Sequence, residues 1–409
     1  MNCQWKLSGG LVVDGTGASA YRADVAVGDL ADVEAEHIID CSDRVVTPGF
    51  IDIHSHSDFL MPGTDASALV EPFLRQGMST LVGGNCGFSP APLTEKNHSV
   101  TRESSRLIID DEIDLRWETM DGFLSALDEG GVPLNVAELV GHEAVRAAVM
   151  GHLDSSVPDE QQLDSMERLV REALDAGVGV STGLGYPPAI SAEHDELARV
   201  AGWAAAAGLD VAFDAFPYTA GNTTASVLFP PEMLPHLETI LEPPEQLEGL
   251  KTLGAQLFAQ NGFYLEDIQI MRANATRFDE LNGLFVGEAA KRVGMDVWEF
   301  YARLVVESHR NARVLSTYVD VGLFEFEEAV RKMTGAPAER LGWSDRGFVR
   351  DGCAADLVVL DRAQLRDRAT FESPARFPTG IEKVFVGGVL VVDGDRYDAS
   401  ALAGQVLRS

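Results

Sequence analysis

The sequence predicts an α/β protein: a parallel sheet or barrel in the middle of the chain, joined to a small β-domain assembled from its two ends. Alternation of apolar, β-branched runs with helix-like runs through the centre argues for parallel strands connected by helices. Short strands separated by hairpin turns recur at both termini, and chain ends often lie close together, so one β-sandwich built from both ends follows. A third observation locates the chemistry. The run Thr47-Pro48-Gly49-Phe50-Ile51-Asp52-Ile53 reads as a buried strand and ends in His54-Ser55-His56.

In order along the chain, Trp5-Lys6-Leu7, Leu11-Val12-Val13 and Asp24-Val25-Ala26-Val27 are strands divided by Asp14-Gly15 and Gly28-Asp29 turns. After the His-x-His strand, Ala66 to Gln76 has helical spacing. Ser79-Thr80-Leu81-Val82 then leads into the Gly83-Gly84-Asn85-Cys86-Gly87 loop. Asn135 to Val140 is a strand ending at Gly141-His142-Glu143, and the acidic, amphipathic Pro158 to Ala176 is a helix. Gly177 to Gly183 is the next buried strand, with Tyr186-Pro187-Pro188 on its loop. The alanine-rich helix Ala198 to Gly208 precedes a strand from Leu209 to Phe216, then Pro217-Tyr218 and a Gly221-Asn222 turn. Polar sequence with helical stretches around Pro243 to Asn261 suggests a subdomain outside the main sheet, and Met295 to Val306 and Leu323 to Thr334 are helices. Ala355-Asp356-Leu357-Val358-Val359 and Val384 to Asp393 return to strands and hairpins.

A chain of 409 residues, 45% hydrophobic, has material for one large domain and a smaller companion. Its formal net charge of -32 is spread along the whole length, which excludes nucleic acid and anionic membranes as natural partners. Cys3, Cys41, Cys86 and Cys353 are scattered, without a pairing pattern, and the N-terminus lacks a signal-peptide core. A cytoplasmic protein is the expectation.

Residues i and i+2 of a strand share a face, so His54 and His56 can approach one ion while Ser55 points away. Zinc accepts both imidazole nitrogen and thiolate sulfur, which makes Cys86 the natural third ligand. Asp58 reads as a partner that orients an imidazole, or more weakly as a base. His142 reads equally as a site residue or as a core histidine.

These segments resemble the N-acyl-D-amino-acid deacylase (D-aminoacylase) family of the amidohydrolase superfamily. The motifs agree in order: Pro48 to Asp52 with His54 and His56, Gly84-Asn85-Cys86-Gly87-Phe88-Ser89-Pro90-Ala91-Pro92-Leu93, Val140-Gly141-His142, Gly179 to Leu184, Asp214-Ala215-Phe216-Pro217-Tyr218 and Ala355 to Val359. Asn-Cys-Gly is the most specific of them, because most amidohydrolases bridge their metals with a lysine. The resemblance implies a TIM-like metal-dependent hydrolase barrel plus the β-sandwich. The β-sandwich takes residues 1–48 and 345–409, the barrel takes 49–222 and 296–344, and an inserted subdomain takes 223–295. It also implies Zn2+ and hydrolysis of the amide bond of a small-molecule N-acyl-D-amino acid, with Tyr186, Tyr218, Asn222 and Arg310 as candidate substrate contacts.

The chain departs from that family in three places. Only about twenty-five residues separate the Tyr186-Pro187-Pro188 loop from Asp214, too few for the two strand-helix units that carry the family's further metal-binding histidines. His194 is the one histidine there, in a segment that reads as the exposed start of a helix. The family's catalytic aspartate has no counterpart near Glu307-Ser308-His309-Arg310, and Phe216 stands where the family has a tyrosine. Five predicted parallel strands do not close an eight-stranded barrel, so an incomplete barrel is expected, with edges covered by the insert or by a second copy. The alternative function is an inactive relic, or a chain truncated internally.

Overall fold

The computed structural model describes residues 3–28, 35–104, 115–151, 156–183, 192–206, 208, 220–224, 241, 248–252, 254–255, 264–265, 268–273, 277–307, 313–317, 325–368 and 376–408. Tyr186, Phe216, Tyr218, His309 and Arg310 lie outside them, as do Asp214 and the rest of the expected 209–216 strand.

The two ends of the chain meet in one eight-stranded sheet. Strands β1 (Cys3–Val12), β2 (Tyr21–Gly28), β3 (Ala35–Asp40) and β4 (Val45–Pro48) come from the N-terminus. Strand β1 bends at Gly9 and Gly10, where its register against β2 shifts. Its first half therefore pairs with β3 and its second half with β4. The fork lets the sheet fold over itself. Trp5 reaches Phe385 with ring centroids 5.6 Å apart, over a core of Leu7, Val27, Val46, Leu357 and Val359.

The parallel sheet begins immediately after β4. Strands β5 (Phe50–Asp52), β6 (Met78–Gly83), β7 (Asn135–Gly141) and β8 (Gly179–Ser181) pair in that order. The near-continuous apolar runs of β6 and β7 are what a strand covered on both faces requires. Connecting helices cover them: α1 (Ala66–Leu74), α2 (His98–Ser104), α3 (Met120–Gly130), α4 (His142–Met150) and α5 (Glu160–Leu174). Helix α5 starts on a capping box, in which the Asp159 carboxylate accepts from the Gln162 N–H and the Gln162 side chain accepts from the Asp159 N–H. Helix α6 (His194–Ala206) packs on α5, and His194 stands exposed at its start.

A third sheet, three-stranded and antiparallel, joins β9 (Ala220–Thr224), β10 (Gln269–Arg272) and β11 (Arg313–Thr317), with β11 in the middle. Here the structure corrects the expected Gly221-Asn222 turn. Asn222 is extended opposite Leu315, because Thr223 and Thr224 are β-branched and β11 supplies a partner strand. Helices α7 (Val286–Val293) and α8 (Val297–Glu307) close a separate core of Ile270, Phe278, Phe300, Tyr301 and Leu304.

The chain returns through α9 (Phe326–Met333) and α10 (Gly335–Arg340) to β12 (Leu357–Leu360), β13 (Ile381–Val386), β14 (Val389–Asp393) and β15 (Arg396–Tyr397) of the terminal sheet. It ends with β16 (Val406–Leu407), parallel to β7. Among the described residues the parallel sheet thus has five strands, and its fifth comes from the C-terminus. Two paired residues carry no readable period, so the register of β16 is set by contacts. Asn135 Oδ1 accepts the Gln405 N–H at 3.0 Å, and Gly404 lies so close to Leu134 that an added Cβ would stand 2.1 Å from its carbonyl oxygen.

Candidate metal centre

Strand β5 stops two residues before His54, so the imidazoles stand on the turn beyond the strand and not on its pleat. The Asp52 carboxylate makes that turn by accepting the His54 N–H at 3.1 Å. The Ser55 N–H donates to the Val82 carbonyl at 3.1 Å, which ties the turn to the end of β6. A short 3-10 turn, Ser57–Leu60, follows.

Opposite this turn the β6 loop coils sharply. Gly84 has φ 74° and Cys86 has φ 54°, and Cys86 is the single non-glycine residue with positive φ among those described. A side-chain-bearing residue in this region costs on the order of 1 kcal/mol, and such strain collects at functional sites. The coil brings Cys86 Sγ to 3.2 Å from His54 Nε2. Donor atoms of His54, His56 and Cys86 all lie within 4.8 Å of one another. The His54 and His56 rings are 5.6 Å apart and nearly perpendicular, and Phe88 walls the far side of His56 at 6.0 Å.

Two imidazoles and one sulfur suit a borderline-soft cation such as zinc, and three protein ligands leave the open position of a reactive site. His56 fits that role in detail. Its Nδ1 is buried without a hydrogen-bond partner. Burial, assisted by repulsion from His54, lowers its pKa to about 4, which keeps a lone pair available at neutral pH.

Asp58 lies below this set, 2% exposed, and accepts the Gly84 N–H at 3.1 Å. Its position is that of a brace between the histidine turn and the cysteine coil. Burial pushes its carboxyl up to about 6, and Glu138, fully buried and facing it, is raised well above the carboxylate range by burial and by the Asp58 charge. Glu138 belongs to no motif singled out in the sequence. A glutamate in the middle of an apolar strand was the signal that could have found it, because such a group needs a partner.

His142 sits elsewhere, on the first turn of α4, wholly buried. Its Nε2 meets Glu196 Oε1 at 2.9 Å and its Nδ1 meets Thr182 Oγ1 at 3.0 Å, so both ring nitrogens are bonded within the protein. Arg146 Nε donates to the same Glu196 oxygen at 3.0 Å. Burial alone would raise the Glu196 pKa, but the His142 hydrogen bond and the Arg146 charge outweigh it and hold the carboxyl below its usual range. The structure thus brings His54, His56 and Cys86 together, sets Asp58 beneath them and places His142 in a closed cluster. Asn222 is on β9.

Residues 37–263 and 294–392 match the profile of the Amidohydrolase family. The chain is 30% identical to the D-aminoacylase of Alcaligenes xylosoxydans xylosoxydans, over 98% of this chain and 96% of that one. Their alignment runs to 489 positions against 409 residues here, so at least 80 positions are occupied in the relative and empty in this chain. The N-acyl-D-glutamate deacylase of the same organism is 31% identical over 94% of this chain and 93% of its own. A solved structure of N-acyl-D-glutamate deacylase from Bordetella bronchiseptica, complexed with zinc and a phosphonate mimic of the reaction's tetrahedral intermediate, superposes with a TM-score of 0.76 at 26% identity over the whole of both chains.

Proposed function

Because this chain belongs to the amidohydrolase family, in its D-aminoacylase branch, we propose that it is a zinc-dependent hydrolase of the amide bond of N-acyl-D-amino acids. The observation that carries this reading is the convergence of His54, His56 and Cys86 at the mouth of the parallel sheet, on the very motif that singles out the branch. Bound there, zinc supplies Lewis acidity to the amide carbonyl and to the attacking water. The protein's share is preorganisation. The Asp52 turn and the Cys86 coil hold three donors in place before a cation arrives, and Phe88 makes one wall of the site apolar. Asp58, buried and bonded to Gly84, braces the two loops.

Zinc per folded chain is measured by elemental analysis of gel-filtered protein. Release of free amino acid from N-acetyl-D-leucine and N-acetyl-D-glutamate is then compared with the L-enantiomers. About one zinc or more per chain and metal-dependent turnover of a D-substrate are the expected results. Zinc without turnover of any of these substrates would favour the inactive relic, for which the missing aspartate and the 80 unmatched alignment positions speak.

A further inference from the structure

The buried cluster around His142 reaches the Cys86 coil through one short strand end. Strand β8 finishes at Ser181, and the next two residues lie against the coil. The Ser181 hydroxyl accepts the Gly87 N–H at 3.0 Å and donates to the Gly84 carbonyl. Gly183 approaches so closely that an added Cβ would stand 2.3 Å from the Cys86 carbonyl oxygen and 2.8 Å from its Cα. Between them Thr182 turns outward, and its hydroxyl is bonded to His142 Nδ1 at 3.0 Å. Thr182, between the two residues that touch the coil, is thus tied in turn to a histidine.

The polarity of this chain of bonds is determined from its far end. A carboxylate only accepts, so His142 Nε2 must carry the proton that it shares with Glu196 Oε1. A neutral ring accepts the Thr182 hydroxyl proton at Nδ1 and a protonated ring donates to its oxygen, so the bond to Thr182 stands in either form. Arg146, which donates to the same Glu196 oxygen and also to the Ser156 carbonyl at 2.6 Å, keeps Glu196 in place. Glu196 comes from α6, His142 from α4 and Thr182 from the end of β8, so three elements are locked relative to the coil.

We propose that Glu196, His142 and Thr182 are positioning residues for the metal centre, which act through the β8 end to hold Cys86 in its left-handed conformation with its sulfur directed at the cation. This rests on the reading of His54, His56 and Cys86 as metal ligands. None of the three belongs to the converging donor set. Their effect is on the one ligand that does not come from the β5 turn, and loss of such supporting partners typically weakens metal binding 10- to 100-fold.

The test replaces zinc with cobalt(II), whose bond to a thiolate gives a charge-transfer absorption in the near ultraviolet. The full chain is compared with Thr182→Val, Thr182→Ser, Glu196→Gln and Cys86→Ala, with unfolding in urea followed in parallel. Thr182 is exposed, so the valine keeps the shape and removes only the hydroxyl. Expected is a clear band in the parent chain, none in Cys86→Ala, and a displaced or weakened band in Thr182→Val and Glu196→Gln. Cobalt affinity in those two should fall about 10-fold or more, and Thr182→Ser should restore both. A parent-like band and affinity in Thr182→Val would overturn the proposal, even if Glu196→Gln lowers stability. No thiolate band in the parent chain would instead overturn the metal-centre reading, and this inference with it.

Discussion

Two histidine clusters are tied to the Cys86 coil in this fold, and they are built on opposite plans. His142 is enclosed, with both nitrogens bonded to Thr182 and Glu196, and the Arg146 charge balances the buried carboxylate. His54 and His56 stand on a turn whose donor atoms converge on a cysteine sulfur, and the buried Nδ1 of His56 has no hydrogen-bond partner among the described residues. A polar group removed from water without a partner is costly, and the closed cluster is not free of that cost, since Arg146 Nη1 and Glu196 Oε2 are also buried without one. What separates them is convergence: the donor atoms of His54, His56 and Cys86 face one another, whereas both nitrogens of His142 are taken up by Thr182 and Glu196.

Breaking the open cluster should have the largest effect. Cys86→Ala removes a proposed ligand and should weaken zinc more than 10²-fold, beyond what loss of a supporting partner costs, so that zinc per chain after gel filtration falls toward zero. Gly84→Ala attacks the coil itself. Its Cβ would stand 1.9 Å from the Leu139 carbonyl oxygen at a φ of 74°, and the urea midpoint should fall by the equivalent of about 4 kcal/mol.

The closed cluster should lose more stability and less metal. His142→Ala leaves Glu196 and Arg146 buried without the imidazole, which should cost about 3 kcal/mol of stability and weaken zinc about 10-fold, well short of the loss in Cys86→Ala. Loss of zinc with unchanged stability would reverse the assignment of the two clusters.

The brace between the loops can be read by pH. Asp58 has a folded pKa of about 6, above its ordinary value near 4, so the folded state binds its proton more tightly than the unfolded state does. This group therefore favours folding below about pH 4, and that contribution is lost as the pH rises to 6. Asp58→Asn in metal-free protein should remove on the order of 2 kcal/mol of that decline, seen as a flatter plot of urea stability between pH 4 and 6. The smallest effect belongs far from both clusters. Arg171 and Glu167 form an exposed pair one turn apart on α5, and Arg171→Ala should change stability by no more than about 0.5 kcal/mol and leave zinc unaltered.

Much of the architecture was legible because it depends on local chemistry. Buried apolar runs marked β5, β6 and β7, the polar face of α5 announced a helix, and both ends showed the hairpins that form the terminal sheet. What escaped was contact over distance. Residues as few as Val406 and Leu407 show no periodicity, yet they add a strand to the parallel sheet because Asn135 and Leu134 receive them. Asn222 reads as a turn residue and is extended, because β11 offers it a partner nearly a hundred residues later.

The family was readable from sequence, as were the three residues whose donor atoms converge and the strands β5 to β7, since these lie in motifs that are contiguous or alternate with a fixed period. Tertiary structure alone decided that His54 and His56 converge beyond their strand, that Cys86 adopts a left-handed backbone, that Glu138 lies against Asp58 and that His142 is enclosed. Each of those outcomes depends on which distant groups share a low-dielectric space, and that is a property of packing in three dimensions, which no local pattern of residues encodes.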